Sequence, residues 1–389
     1  MTLSTVRAVL GLVAAELGAS VKISAEDMAQ IKASLDEIYL YSKSNDIAHL
    51  VGHALTNKGL ISENDKSFPL FEKEQYTAML RQERQDFELG RICEVLEGGG
   101  IDFIPLKGAV LRRLYPEPCM RTSCDIDILV KKEDFAAAKK CLLEDLGYKR
   151  GKESSHDESF DAPGRVHIEL HFDLLEDGQT RGARKIIENV WSHTVPAEGK
   201  KHHMLMSDEM FYFYHIAHIA KHFEEAGIGA RPFLDLYLLT LGRENDAKRD
   251  DFLKRGGLDV FERVARELVN CWFAGGELGN LGQRFEIFIL RSGAYGALSN
   301  SILLAKEKRG GSRGYILSRI FMPYDSIKYS YPILKKHKWL LPFCQISRWF
   351  KLLSPKQAKR AAREAQRSSE LSDKELRRLK ALMRDVGLE

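Results

Sequence analysis

The 389-residue sequence has no CxxC pair, and its six cysteines (Cys93, Cys119, Cys124, Cys141, Cys271 and Cys344) follow no regular spacing. That argues against a disulfide framework and fits a reduced, cytoplasmic setting. No stretch approaches the roughly 20 apolar residues needed to span a bilayer. The chain is therefore expected to carry no transmembrane segment and at most to sit peripherally on a membrane. One short apolar run, Ala8 to Ala15, follows Arg7, but Glu16 interrupts it. It reads as an amphipathic first helix rather than a secretory leader. A GxxxxGK[ST] phosphate loop is also missing, and no internal repeat is visible.

What is present suits a folded protein of two or three units. Hydrophobic residues make up 44% of the chain and charged residues 29%. The net charge of +4 hides an asymmetry: from Lys306 to Glu389 there are 21 basic against 8 acidic residues, a balance of +13 that leaves −9 for the remainder. Tyr329, Tyr331, Trp339, Trp349 and Phe350 are interleaved with those basic residues, and a helix read from about 356 to 367 is very basic. Such a tail suits an anionic surface or nucleic acid; a solvated set of helices is the plain alternative.

Periodicity divides the chain into four parts. Residues 1–66 read as helices, with Met28, Ile31, Leu35 and Ile38 at helical spacing, followed by a polar linker. Residues 67–200 begin with a long helix from about Phe71 to Leu96, ended by Gly98-Gly-Gly. A buried strand at Ile101–Leu106 follows, then a turn and helix opened by Lys107-Gly108 and broken at Tyr115-Pro-Glu-Pro. Asp125-Ile-Asp-Ile-Leu-Val is the clearest strand; a helix from Glu133 to Leu146 comes next. Gly147–Lys152 and Arg165–Asp173 read as two strands joined by a polar loop. This order predicts an α+β fold with a small mixed sheet covered by helices on one side. Residues 201–305 are expected to form a helical domain closing the site, and 306–389 a basic aromatic tail ending in a helix from about Ser372 to Val386.

The chemistry concentrates in the sheet. Asp125 and Asp127 lie two apart on one strand, so both carboxylates project the same way, about 7 Å apart along the backbone. Side-by-side acids repel unless a cation lies between them, and Mg²⁺ (or Mn²⁺) takes such oxygen ligands together with substrate phosphates. In Val166-His-Ile-Glu-Leu-His-Phe the alternation puts His167, Glu169 and His171 on one face. If this strand neighbours the first, three carboxylates converge, enough for a two-metal phosphoryl or nucleotidyl displacement. Lys107-Gly108, at a strand-to-helix turn, offers backbone N–H groups and a cation to phosphate. His167, Glu169 and His171 could instead form an HxExH zinc site of a hydrolase, or the histidines could simply orient Glu169. His215, His218 and His222 share a helical face beside Lys221, with Arg231 and Asp235 following; they read as pocket lining, or as a packed face with an Arg231–Asp235 pair.

Leu106-Lys-Gly-Ala, Tyr115-Pro-Glu-Pro, Arg121, Asp125-Ile-Asp-Ile-Leu-Val, His167-Ile-Glu-Leu-His and His215-Ile-Ala-His-Ile-Ala-Lys-His together resemble the uncharacterised nucleotidyltransferase family of the polymerase-beta-like superfamily. The resemblance runs from about residue 70 to 305. It implies a nucleotidyltransferase core in which Gly108 takes the turn, Asp125 and Asp127 the metal-binding pair and Glu169 the later acid. Lys107, Arg121, Lys221 and Arg231 would contact the nucleotide. It further implies an NTP substrate, with ATP as the expectation, and an acceptor hydroxyl of unknown identity. The sequence departs from the superfamily pattern at Ala109, where a Ser or Gly usually follows the turn glycine. A catalytically silent nucleotide sensor that docks on a partner is the competing reading.

Overall fold

The computed structural model describes residues 1–388 apart from 176–179, 226, 244–245, 294–297, 353–358, 360–361, 363, 365 and 369. Four helices open the chain: α1 (Leu3–Glu16), α2 (Ala25–Ala33), α3 (Leu35–Ser44) and α4 (Ala48–Asn57). Thr2 caps α1, its side-chain oxygen accepting from the Thr5 N–H. Val9, Leu10, Val13 and Ala14 are wholly buried. The expected amphipathic helix is in fact enclosed on nearly every side, because α2, α4 and a later helix all pack on it. The long helix α5 (Phe68–Gly98) begins with Pro69 in its first turn, where a missing N–H costs nothing.

The sheet that follows has strands β1 (Phe103–Pro105), β2 (Asp125–Val130), β3 (Lys149–Glu153), β4 (Asp157–Asp161) and β5 (His167–His171) in the order β1-β2-β5-β4-β3. The β2–β5 pair is parallel and the others are antiparallel, so the sheet is mixed. Between β1 and β2 lies the one-turn helix α6 (Gly108–Leu111), and between β2 and β3 the helix α7 (Phe135–Lys140), which continues as a π-turn over Cys141–Asp145. Ile126, Ile128, Ile168, Leu170 and Phe160 pack against Ile92 and Leu96 of α5 and Ala138 and Leu142 of α7. That apolar face is the one that helices cover, and the alternation turns the acids to the other.

Strand β4 corrects the reading of residues 153–164 as a polar loop. Asp-Glu-Ser-Phe-Asp carries a single apolar residue, so no strand pattern is visible. Its Glu158 is buried because Lys139 Nζ reaches it at 2.9 Å and Arg150 also pairs with it. The charge is compensated from α7 and β3, outside the strand itself.

After β5 come α8 (Arg181–Ile187) and a two-stranded ribbon, β6 (Thr194–Pro196) with β7 (Met204–Met206). The helices α9 (Asp208–Glu225), α10 (Arg231–Thr240), α11 (Ala247–Gly256), α12 (Asp259–Ala274), α13 (Asn280–Ser292) and α14 (Leu298–Lys308) share one hydrophobic core with α1–α4. Arg7 of α1 donates from Nε to Oε1 of the fully buried Glu286 at 2.7 Å, and Trp272 Nε1 donates to the same oxygen at 2.8 Å. The last helices are α15 (Ser312–Ile320), α16 (Tyr324–Ser330), α17 (Ile333–Lys336), α18 (Leu341–Leu352) and α19 (Asp373–Asp385). Helix α19 starts with a capping box between Ser372 and Glu375 and buries Leu379, Leu382 and Met383 in the main core. The basic helix read at 356–367 lies largely outside the described residues. Among the described residues no helix is long and apolar enough to cross a membrane.

If β4 is an integral strand, Phe160→Ala should cost about 3–5 kcal/mol, the usual range for removing a buried phenyl ring. Urea unfolding would measure this; a cost typical of an exposed loop residue would contradict the strand.

Candidate active site

The acids meet because of strand register. Asp127 pairs directly with Glu169 across the parallel β2–β5 ladder, with Asp125 opposite His167 and Leu129 opposite His171. Since Asp125, Asp127 and Glu169 occupy equivalent phases of their strands, all three carboxylates share the face away from α5 and α7. His171 Nε2 donates to Asp127 Oδ1 at 3.0 Å and lies 3.8 Å from Glu169 Oε2. Oxygens of Asp127 and Glu169 and a ring nitrogen of His171 fall within 4.8 Å of one another, a grouping able to hold a cation.

The turn between β1 and α6 delivers the counter-charge. The Leu106 N–H donates to the Asp127 carbonyl at 3.0 Å, which fixes the next residue beside the acid. Lys107 adopts φ +40° and ψ −108°, a conformation rare for a residue with a Cβ and costing on the order of 1–3 kcal/mol. Its ammonium stands 3.6 Å from Asp127 Oδ1. Gly108 is needed for a close approach: a Cβ there would lie 2.9 Å from Ser123 Oγ. Two residues that the sequence did not single out lock this turn to the acidic strand. Arg112 Nε donates to the Gly108 carbonyl at 2.9 Å, and Gln85 Nε2 donates to the carbonyls of Ser123 and Asp125 at 2.8 and 3.2 Å. No motif marks Gln85, since a polar residue on a long helix ordinarily faces solvent.

Burial and mutual repulsion separate the three acids electrostatically. Burial acts to raise the Asp127 carboxyl, but Lys107 and the His171 hydrogen bond overcome it and hold the group well below the usual carboxylate range. Asp125 is raised by burial and by the nearby Asp127 charge. Glu169 is pushed up to about 7, by burial first and then by Asp127 and Asp125. A set of carboxylates that repel one another, one already ionised, is the donor chemistry a hard divalent cation relieves, so Mg²⁺ or Mn²⁺ fits these residues.

Other predicted residues sit at varying distances from this centre. On α9, His218 and His222 contact each other at 3.1 Å between their Nε2 atoms. Burial, with Lys107 close by, depresses His218 well below its ordinary value. Burial and Lys221 push His222 down to about 4. Both shifts favour the neutral ring, whereas Lys107 places a cation 3.6 Å from Asp127. Burial lowers Lys221, opposed first by Glu225, with which it pairs at 4.0 Å, and with smaller influences from Lys107, Asp157 and Glu169. His215 is buried and donates to the Pro232 carbonyl at 3.2 Å. Asp157 and His156, beside His171, were not foreseen because they lie in the segment read as a loop.

Arg121 and Asp235 do not reach the acids. Arg121 Nε donates to Asp235 Oδ1 at 2.7 Å, Tyr115 Oη donates to the same oxygen at 2.8 Å, and all three are buried. Arg231 pairs with Asp46 of the α3–α4 connection, so the expected Arg231–Asp235 pair is replaced by two others. The HxExH grouping does not form either. Residues four apart on a strand are separated by roughly 13 Å. His167 accordingly turns to Asp161, its Nδ1 2.7 Å from Oδ1, and among the described residues it joins no cation-binding group. With His167 at 3.9 Å and His171 at 3.8 Å from different Glu169 oxygens, the two rings flank that carboxylate.

A small mixed sheet that presents an aspartate pair and a later acid beside a strand-to-helix turn is the arrangement of a nucleotidyltransferase-class protein. The chain belongs to the family described as uncharacterised nucleotidyltransferase, whose model matches residues 32–274, from α2 to the end of α12. No curated protein and no solved structure matches it.

Two outcomes are expected from this geometry. A proton on Glu169 competes with a cation, so Mn²⁺ affinity should rise with pH by up to about tenfold per unit below 7 and level off above it. Calorimetric titrations at several pH values would test this, and Glu169→Gln should flatten the profile. Asp235→Ala, which leaves Arg121 buried without its partner, should cost about 3–5 kcal/mol in denaturant unfolding.

Proposed function

We propose that this protein transfers a nucleoside monophosphate from an NTP, with ATP as the first candidate, to a hydroxyl acceptor, releasing pyrophosphate. The observation that carries the reading is the direct pairing of Asp127 with Glu169 across β2–β5, with Lys107 beside them. A divalent cation held by Asp125, Asp127 and Glu169 would neutralise the triphosphate and polarise the α-phosphate.

The chain's own groups divide the remaining work. Lys107 supplies a fixed positive charge at the phosphate side, while the Ala109, Val110 and Leu111 N–H groups close the turn on the Leu106 and Lys107 carbonyls. Glu169, at the edge of that cation site, takes the acceptor hydroxyl proton as that oxygen bonds to the α-phosphorus. The bond from the α-phosphorus to the bridging oxygen breaks, and its electron pair leaves with pyrophosphate. His167 and His171 flank the Glu169 carboxylate, and His171 anchors Asp127.

The test is NTP binding and turnover with and without Mg²⁺ or Mn²⁺, comparing wild type with Asp127→Asn. The variant should lose at least about 10²-fold in rate, the scale of removing one charge-stabilising group from an organised site, while keeping its fold by circular dichroism. Turnover that survives the substitution would overturn the assignment. Metal-independent nucleotide binding with no transfer would favour the silent sensor instead.

A further inference from the structure

The segment 312–352 is poor in acids and rich in outward apolar side chains. It contains eight Lys or Arg residues and one acid, Asp325, which is paired with Lys328 at 2.9 Å. Among the described residues it also holds a disproportionate share of the large apolar side chains left exposed, including Ile316, Leu317, Ile320, Phe321, Phe343 and Phe350.

These side chains are not random leftovers. Helix α18 has two apolar faces. Leu341 and Cys344 turn inward to a small separate core with Ile327 and Leu334. Phe343, Ile346 and Phe350 recur at three- and four-residue spacing on the opposite side, with Trp339 preceding them in line. Trp339, Phe343 and Phe350 are 70%, 62% and 69% exposed. Helix α15 adds a parallel contribution. Its Tyr315 is buried while Ile316, Leu317 and Ile320 face outward. The two helices are fastened together: Phe321 meets Trp349 edge-on at 5.6 Å, and Trp349 Nε1 donates to the Ile320 carbonyl at 2.8 Å. The outward residues of the two helices thus lie on adjoining elements; Arg313, Lys336, Lys338 and Lys351 of the same segment are exposed, while Arg319 and Lys335 pair with Glu364 and Glu153.

Exposed aromatic and aliphatic side chains on a segment whose cations outnumber its acids match the boundary between acyl chains and anionic headgroups. A nucleic-acid groove would need cations along a track and stacking rings, not Ile316, Leu317, Ile320 and Ile346. A second protein copy would bring the same excess of positive charge against itself. We propose that the α15–α18 surface docks the protein peripherally on an anionic lipid bilayer, with Phe343, Phe350 and Trp339 inserted at the headgroup level. The surface does not depend on the chemistry proposed for the acidic site.

The experiment is flotation of the full chain with vesicles of phosphatidylcholine alone and of phosphatidylcholine mixed with phosphatidylglycerol, at low and high salt. Binding to the mixed vesicles at low salt, weakened at least about tenfold by pure phosphatidylcholine or by high salt, is expected. Phe343→Glu/Phe350→Glu should lose that binding while keeping the wild-type melting temperature, since both residues are exposed. Lys336→Glu/Lys338→Glu should weaken it without touching the apolar face. Equal binding by wild type and the phenylalanine variant would overturn the proposal. So would absence of vesicle binding accompanied by RNA binding in a gel-shift assay, by self-association in sedimentation, or by neither.

Discussion

Parallel pairing of β2 with β5 is the constraint from which the candidate site follows. A parallel ladder fixes which residues stand opposite one another, and a slip of one residue would send the acids to the face packed on α5 and α7. Ile126, Ile128, Ile168 and Leu170 resist that slip because all four are buried on the covered face. The apolar half of the alternation therefore holds the polar half in place. Lys107 then tolerates an unfavourable backbone conformation because the β1–β2 ladder and the Asp127 charge fix it from two sides.

Buried charge recurs through the fold and is met each time by a partner from a distant element. Glu158 is matched by Lys139 and Arg150, Asp235 by Arg121 and Tyr115, and Glu286 by Arg7 and Trp272. Such pairs contribute little net stability over apolar substitutes, because desolvation offsets attraction. Their effect is selective: an arrangement that separates the partners strands a charge away from water. Through Arg231 and Asp46, the helices after the sheet are tied in the same way to the N-terminal helices.

The sequence makes the acidic strands readable because Asp125, Asp127 and Glu169 alternate with branched apolar residues, and that period belongs to strands alone. Strand β4 was hidden for the converse reason, since the charges that allow Glu158 to be buried lie on α7 and β3. The family resemblance implies a nucleotide contact for Arg121 and Arg231, and only tertiary structure reveals that Asp235 and Asp46 pair with them. The same limit applies to Gln85 and Arg112, whose importance comes from backbone carbonyls that no composition or spacing advertises. The boundaries of α5 and α19 were visible to within a few residues, because a glycine run ends the first and a serine cap opens the second; those of the helices between residues 201 and 305 were not read individually. The full burial of α1 was not, as it depends on how many neighbours surround a helix.

Helix α5 gives the site a mechanical character. At 31 residues it is a rod of roughly 46 Å. Near its start, Phe71 and Gln75 press so closely on α4 that only Gly52 fits between them. At its middle, Gln85 grips the backbone of the acidic strand, and Glu88 holds Arg165 at the entry to β5. Both acid-bearing strands are thus gauged from one stiff ruler whose other end is clamped in the N-terminal bundle. Thermal motion of that bundle would move the two strands together, leaving the spacing between Asp127 and Glu169 nearly constant.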